Sequence, residues 1–208
     1  MKISEAFDGI IDTTIDLNLV KSDRSYDQPQ GAIKTYTYGD IVVDFFWSSN
    51  HESLTDFITF FNVNTSLNVV LTSSVVRRLL NGVGYVCIVK SDDNTMIGGS
   101  IIKLIESDDE VLTEVLLSSF DPEYINTYVL RRYLTGIISF TKRFDGTVIT
   151  TPFKNNVLTR YMTRLPFVEK VMIIRSKPFL TRQIVWSLSV NGTPDNTIRA
   201  IIDYYENR

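Results

Sequence analysis

The chain has very few of the residues on which most metal and nucleophilic active sites depend. Among its 208 residues there is one cysteine, Cys87, and one histidine, His51. A single cysteine cannot form an intrachain disulfide or supply paired thiolates to zinc. A Ser-His-Asp triad, a Cys-His pair or a multi-histidine metal site would each require His51. The composition therefore argues against a metalloenzyme and a histidine-dependent hydrolase, and it favours a reducing, cytoplasmic compartment.

The chain also lacks an excess of charge of one sign and any long apolar run. Its 21 basic and 24 acidic residues give a net charge of −3, which predicts no affinity for nucleic acid or anionic lipid. No stretch approaches the roughly 18 apolar residues of a membrane-spanning helix. Glu5 and Asp8 interrupt the region where a signal peptide would be apolar. We therefore expect no nucleic-acid partner, no membrane span and no secretion signal.

What the chain does have is the composition of an ordinary globular protein, with 44% hydrophobic and 22% charged residues. There is no internal repeat, no low-complexity tract and no linker long enough to divide it. The length suits one large domain. We predict a single domain over residues 1–208, with an N-terminal segment and loop at 1–30, a core at 31–190 and a C-terminal helix at 191–208.

Apolar periodicity predicts short strands and helices in a mixed order. The runs typical of strands lie at 33–38, 41–47, 85–90, 96–105, 111–120, 148–151, 168–176 and 183–190. The spacing typical of helices occurs at 51–62, from Thr72 to Gly82, and at 126–143, 155–165 and 195–206. Three consecutive antiparallel strands followed by a long helix and another strand predict an α+β fold. Its sheet is mixed and mostly antiparallel, with flanking helices.

Five segments, in order along the chain, resemble segments of one enzyme family. They are residues 25–30 (SYDQPQ), 45–47 (FFW), 68–80 (NVVLTSSVVRRLL), 87–98 (CIVKSDDNTMIG) and 158–164 (LTRYMTR). They resemble the N-terminal, acyl-CoA-binding half of N-myristoyltransferases, which belong to the acyl-CoA N-acyltransferase superfamily. The resemblance extends over about residues 24–176. It implies an acyltransferase-like fold with a break in the sheet after about Leu117.

The resemblance also implies where the chemistry would take place. The backbone N–H groups of Leu117 and Ser118 would form an oxyanion hole that polarises the thioester carbonyl. The CoA pyrophosphate would bind at the N-terminus of the long helix. The implied cofactor-binding residues are Tyr26, Gln28, Ser119, Asn126, Thr127, Tyr128 and Tyr161. Acyl-CoA would be the substrate, an amine would be the acceptor, and no metal or covalently bound cofactor is implied.

The chain departs from this family at the CoA loop. Where the family has Arg-Ser-Lys-Arg, this sequence reads Ile125-Asn126-Thr127-Tyr128, without a glycine or a cation. Asp121 and Glu123 place negative charge just before the helix, which repels a pyrophosphate. The loop is therefore degenerate with respect to the family.

Three functions remain open on the sequence. The first is transfer of an acyl group from acyl-CoA to an amine, which needs bare N–H groups at 125–128. The second is a catalytically inactive module, in which side chains such as Tyr124 or Tyr128 fill that space. Such a module would act through a protein partner or a homo-oligomer, using an exposed tyrosine patch. The tyrosines considered for this patch are Tyr124, Tyr128, Tyr133, Tyr204 and Tyr205. An unrelated small-ligand-binding domain is a third, weaker alternative.

Overall fold

The computed structural model describes residues 31–65, 70–106, 111–142, 147–150, 162–164, 168–176, 181–188 and 193–206. The predicted N-terminal segment at 1–30 and most of the predicted helix at 155–165 lie outside the described residues. Tyr26, Gln28 and Tyr161 therefore also lie outside them, and their roles stay predictions.

Within the described residues the chain forms eight strands and four helices. The strands are β1 (Lys34–Tyr38), β2 (Ile41–Trp47), β3 (Gly84–Ser91), β4 (Met96–Glu106), β5 (Val111–Phe120), β6 (Thr147–Thr150), β7 (Val168–Ser176) and β8 (Thr181–Leu188). The helices are α1 (His51–Asn64), α2 (Ser73–Leu80), α3 (Thr127–Thr141) and α4 (Asp195–Glu206). Each predicted element in this part of the chain is present, with its ends shifted by a residue or two. The predicted α+β class is confirmed.

The described residues fall into two compact units. The first unit contains those in Thr14–Lys103 and Leu117–Gly136, and the second contains those in Leu104–Leu116 and Ile137–Arg208. The division passes through β4, β5 and α3. The organisation as one domain over residues 1–208 stays a prediction.

The sheet of the first unit is antiparallel from β1 to β4. Asp44 on β2 pairs with Thr35 on β1 and with Ile88 on β3, and Ile88 pairs with Gly99 on β4. Because successive side chains of a strand point to opposite faces, this row shares one face of the sheet. The neighbouring row, which includes Val43, occupies the opposite face.

Two glycines allow helices to approach these two faces closely. A Cβ atom at Gly99 would lie 3.0 Å from the ring of Phe57, which belongs to α1. A Cβ atom at Gly136, within α3, would lie 3.0 Å from the side chain of Val43. Helix α1 therefore packs on one face of the sheet and α3 packs on the other.

The second unit is built on β5, β6, β8 and β7. The β5 residues 112–114 pair in parallel with β6, β6 pairs antiparallel with β8, and β8 pairs antiparallel with β7. Its core includes a cluster of Ile105, Leu112, Val185 and Ile201, the last of which belongs to α4. The described β5–β6 ladder ends before Leu117, so the predicted break there stays a prediction.

A buried carboxylate joins α4 to β5 in the second unit. Glu114 is fully buried, and its two oxygens accept hydrogen bonds from Tyr204 at 3.0 Å and Tyr205 at 2.9 Å. An unpaired charge would be costly at this site, so the two phenols satisfy a strong requirement. Neither tyrosine side chain is fully exposed.

The expectation of a five-tyrosine surface patch is therefore wrong in part. Tyr204 and Tyr205 donate to Glu114, and Tyr133 is fully buried against Phe120, with ring centroids 4.9 Å apart. Only Tyr124 and Tyr128 of the five are exposed. Tyr133 is buried, and Tyr204 and Tyr205 are partly buried, each bonded to a carboxylate about 90 residues away in sequence.

Replacing either phenol of this cluster should destabilise the protein. We expect Tyr204→Phe and Tyr205→Phe each to lower the free energy of unfolding by about 1–2 kcal/mol, because each removes a hydrogen bond to a buried carboxylate. Urea unfolding followed by circular dichroism measures this. The matched control is Tyr124→Phe on an exposed ring, which should change the value by less than about 0.5 kcal/mol. Equal effects of all three substitutions would contradict the role of Glu114.

Candidate functional site

The sequence-predicted site residues that the structure describes lie on one continuous segment of the first unit. Leu117, Ser118 and Ser119 belong to the end of β5, and Asn126 immediately precedes α3. Thr127 and Tyr128 are the first two residues of that helix. The segment is therefore a strand, a short loop and a helix N-terminus, the arrangement that the sequence predicts for an anion-binding site.

The strand part of the segment is buried. The exposed fraction is 9% for Leu117, 4% for Ser118 and 7% for Ser119. The hydroxyl of Ser118 has no hydrogen-bond partner among the described residues. A buried hydroxyl without a partner is costly, so this group is suited to accept or donate a bond to a bound molecule. The oxyanion role of the Leu117 and Ser118 backbone stays a prediction.

The loop satisfies its own backbone N–H groups. A carboxylate oxygen of Asp121 accepts from the N–H of Glu123 at 2.9 Å. The carbonyl oxygen of Asp121 accepts from the N–H groups of Tyr124 at 3.1 Å and Ile125 at 3.0 Å. The N–H of Asp121 itself donates to the carbonyl of Ile97 at 3.0 Å. Asp121, the first residue of the loop, therefore holds the loop in place through these hydrogen bonds.

The N-terminus of α3 is capped by the side chain of Asn126. Its amide oxygen accepts from the backbone N–H groups of Tyr128 at 2.9 Å and Val129 at 3.0 Å. Asparagine is a favoured N-cap because its oxygen replaces the missing intrahelical acceptor. These N–H groups belong to the helix end that the family resemblance assigns to the pyrophosphate. An anion at this position would have to displace the side chain of Asn126.

Tyr128 turns from the helix toward the β1–β2 hairpin. Its hydroxyl donates to a carboxylate oxygen of Asp40 at 2.8 Å and lies 3.4 Å from the carbonyl oxygen of Tyr38. Gly39 makes room for it, because a Cβ atom there would lie 2.9 Å from the tyrosine oxygen. The hairpin and the start of α3 are therefore joined by a polar contact.

Arg132 on α3 places a cation beside this contact. Its guanidinium lies 5.0 Å from the centre of the Tyr128 ring and 6.0 Å from that of Tyr38, both within the range of cation–π attraction. The Nε atom of Arg132 has no hydrogen-bond partner among the described residues. The loop sequence lacks a cation, but α3 supplies one a helical turn later.

Sequence reasoning missed Asp40 and the particular position of Arg132. Its spacing of four residues from Tyr128 places both side chains on one helix face, and this spacing was the available signal. Asp40 carried no signal beyond its place in a turn.

The described residues contain neither a group suited to a metal ion nor a helix suited to a membrane. In the parts of the chain that the structure describes, no three His, Cys, Asp or Glu side chains form a group that could hold a metal ion. Among the same residues, no helix combines the length and apolarity needed to cross a membrane.

Comparison with known proteins supports the fold. No family model matches the chain, and no curated protein matches it. Among solved structures, it is similar to Arabidopsis thaliana Naa50 in complex with the bisubstrate analogue CoA-Ac-MVNAL. The identity is 12% and the TM-score 0.50, and the match covers 71% of this chain and 98% of that one. At this identity the likeness establishes the fold alone. The predicted acyl-CoA N-acyltransferase-like fold is confirmed, and the relation to N-myristoyltransferases in particular stays a prediction.

Proposed function

We propose that this protein binds an acyl-CoA and transfers its acyl group to an amine. The observation that carries the proposal is the fold that it shares with Naa50, whose structure contains a bisubstrate analogue that includes CoA. Nearly all of that chain, 98%, has a counterpart here, which supports a complete catalytic fold. The myristoyl group is the acyl chain that the sequence resemblance favours.

The reaction needs few side chains. The amine nitrogen attacks the thioester carbonyl carbon, a C–N bond forms and the C–S bond breaks. The proton lost by the amine balances the charge of the departing CoA thiolate. The N–H groups of Leu117 and Ser118 would stabilise the negative charge that develops on the carbonyl oxygen. The burial of both residues supports this role, since such donors act most strongly where water is excluded.

Binding of CoA in this protein would require an exchange at the start of α3. The amide oxygen of Asn126 occupies the N–H groups of Tyr128 and Val129, and a phosphate oxygen would replace it. Arg132, one helical turn further on, could then neutralise part of the phosphate charge. Binding would break the two N-cap hydrogen bonds that Asn126 accepts. Because their loss offsets part of the binding free energy, we expect the affinity for CoA to be modest.

A specific observation favours a second candidate, a catalytically inactive protein with this fold. The loop and the helix N-terminus are already hydrogen bonded internally, and Tyr128 is bonded to Asp40. Tyr124, Ile125 and Tyr128 are exposed beside this loop, at 42%, 36% and 43%. A protein of this kind would use that surface for a partner protein or a second copy.

Titration separates the two candidates. Isothermal titration with myristoyl-CoA, acetyl-CoA and free CoA, together with thermal denaturation, should give micromolar binding of at least one acyl-CoA. The melting temperature should rise with its concentration, because the ligand binds only the folded state. Tightest binding of myristoyl-CoA would support the proposed acyl chain. Absence of binding at millimolar CoA would contradict the transferase function and would favour the second candidate, a catalytically inactive protein with this fold.

A substitution at the helix cap tests the proposed exchange. Asn126→Ala should lower the free energy of unfolding by about 1 kcal/mol and should tighten the binding of CoA several-fold, because it exposes two N–H groups. The matched control is Asn50→Ala. Asn50 caps α1 by accepting from the N–H of Ser53 at 3.0 Å, so its loss should cost similar stability without changing CoA affinity. If the affinity of the Asn126 variant stays equal to that of the control, CoA does not bind at this helix end.

A further inference from the structure

A pocket of about 580 Å³ lies within the first unit, between α1 and the strands β2, β3 and β4. It has an apolar floor formed by Phe46, Phe60, Ile88 and Met96. Phe46, Phe60 and Met96 are each partly exposed. No residue of the candidate acyl-CoA segment 117–128 lines the pocket. Its volume is in the range of about 300–1,000 Å³ that is typical of small-molecule sites.

Lys90 is the one cation among the described residues that line the pocket, and its charge is already neutralised. Lys90 forms an ion pair with a carboxylate oxygen of Asp44 at 3.0 Å. The other oxygen of Asp44 accepts from the hydroxyl of Thr35 at 2.6 Å. Asp44 is 7% exposed and does not line the pocket, and its carboxylate balances the charge that Lys90 would present to a ligand.

The two acids that line the pocket are not neutralised in this way. Glu52 and Asp56 are exposed on successive turns of α1. In the described part of the chain, neither carboxylate forms an ion pair or accepts a hydrogen bond. Like charges four residues apart destabilise a helix. The helix dipole favours an acid in the first turn, where Glu52 lies, and this effect does not extend to Asp56 in the second turn.

We propose that this pocket binds an organic ammonium ion that carries a compact apolar body. The ammonium would lie between the carboxylates of Glu52 and Asp56 and relieve their repulsion. The apolar body would rest on Phe46, Phe60 and Met96, whose flexible or aromatic side chains suit such contacts. Phenylalanine rings near a cation add further attraction. The site lies apart from the proposed acyl-CoA segment, and the inference does not depend on acyl transfer.

The test is a titration followed by NMR of the backbone amides, with 2-phenylethylammonium as the probe. The matched probes are 2-phenylethanol, which lacks the charge, and phenylacetate, which reverses it. Signals of Phe46, Ser53 and Ile88 should shift with the ammonium. The alcohol should bind at least about tenfold more weakly, which corresponds to about 1.4 kcal/mol. Phenylacetate should not bind.

A double substitution tests the acids. Glu52→Gln with Asp56→Asn should weaken the binding of 2-phenylethylammonium about tenfold. The control, Glu123→Gln with Glu206→Gln, removes two exposed negative charges elsewhere and should leave the affinity within about twofold. Because all four side chains are exposed, both variants should unfold at nearly the same urea concentration as the parent chain.

Three results would overturn the proposal. These are equal binding of the alcohol and the ammonium, equal weakening in the two double variants, and shifts that avoid the pocket residues. The titration is performed without CoA. Its failure is therefore distinguishable from failure of the proposed transferase function, which the CoA titration measures.

Discussion

The register of β2, β3 and β4 is the constraint on which both candidate sites of the first unit depend. It places Asp44, Ile88 and Gly99 on the face that α1 covers, and it places Val43 on the face that α3 covers. A slip of one residue would move each side chain to the opposite face. The apolar floor of the pocket and the close approach of α3 would then both be lost. The glycines at 99 and 136 fix these approaches, because a side chain at either would meet a packed neighbour.

The start of α3 illustrates a competition for backbone donors. A helix N-terminus attracts anions because its first N–H groups have no intrahelical acceptor. In this protein the amide oxygen of Asn126 occupies two of them, and Asp121 occupies those of the preceding loop. An internal acceptor of this kind stabilises the helix and competes with a phosphate. Under the proposed function a phosphate would displace this cap, whereas an inactive protein would keep it.

The sequence predicted the elements well because their periodicity is local. The strand and helix bounds, the α+β class and the absence of a cation at 125–128 needed only neighbouring residues. The contacts that decide function are not local. Tyr128 bonds to Asp40, 88 residues away, and Tyr205 bonds to Glu114, 91 residues away. The exposure predicted for Tyr205 was wrong for this reason. The α1 pocket was also missed, since strands β2, β3 and β4 line it together.

The measurement that tests the account most directly follows the backbone amide signals of Tyr128 and Val129 while CoA is added. If a phosphate replaces the amide oxygen of Asn126, these two signals and the side-chain amide of Asn126 should move together and saturate at one concentration. Signals that stay in place at millimolar CoA would contradict a CoA site at this helix.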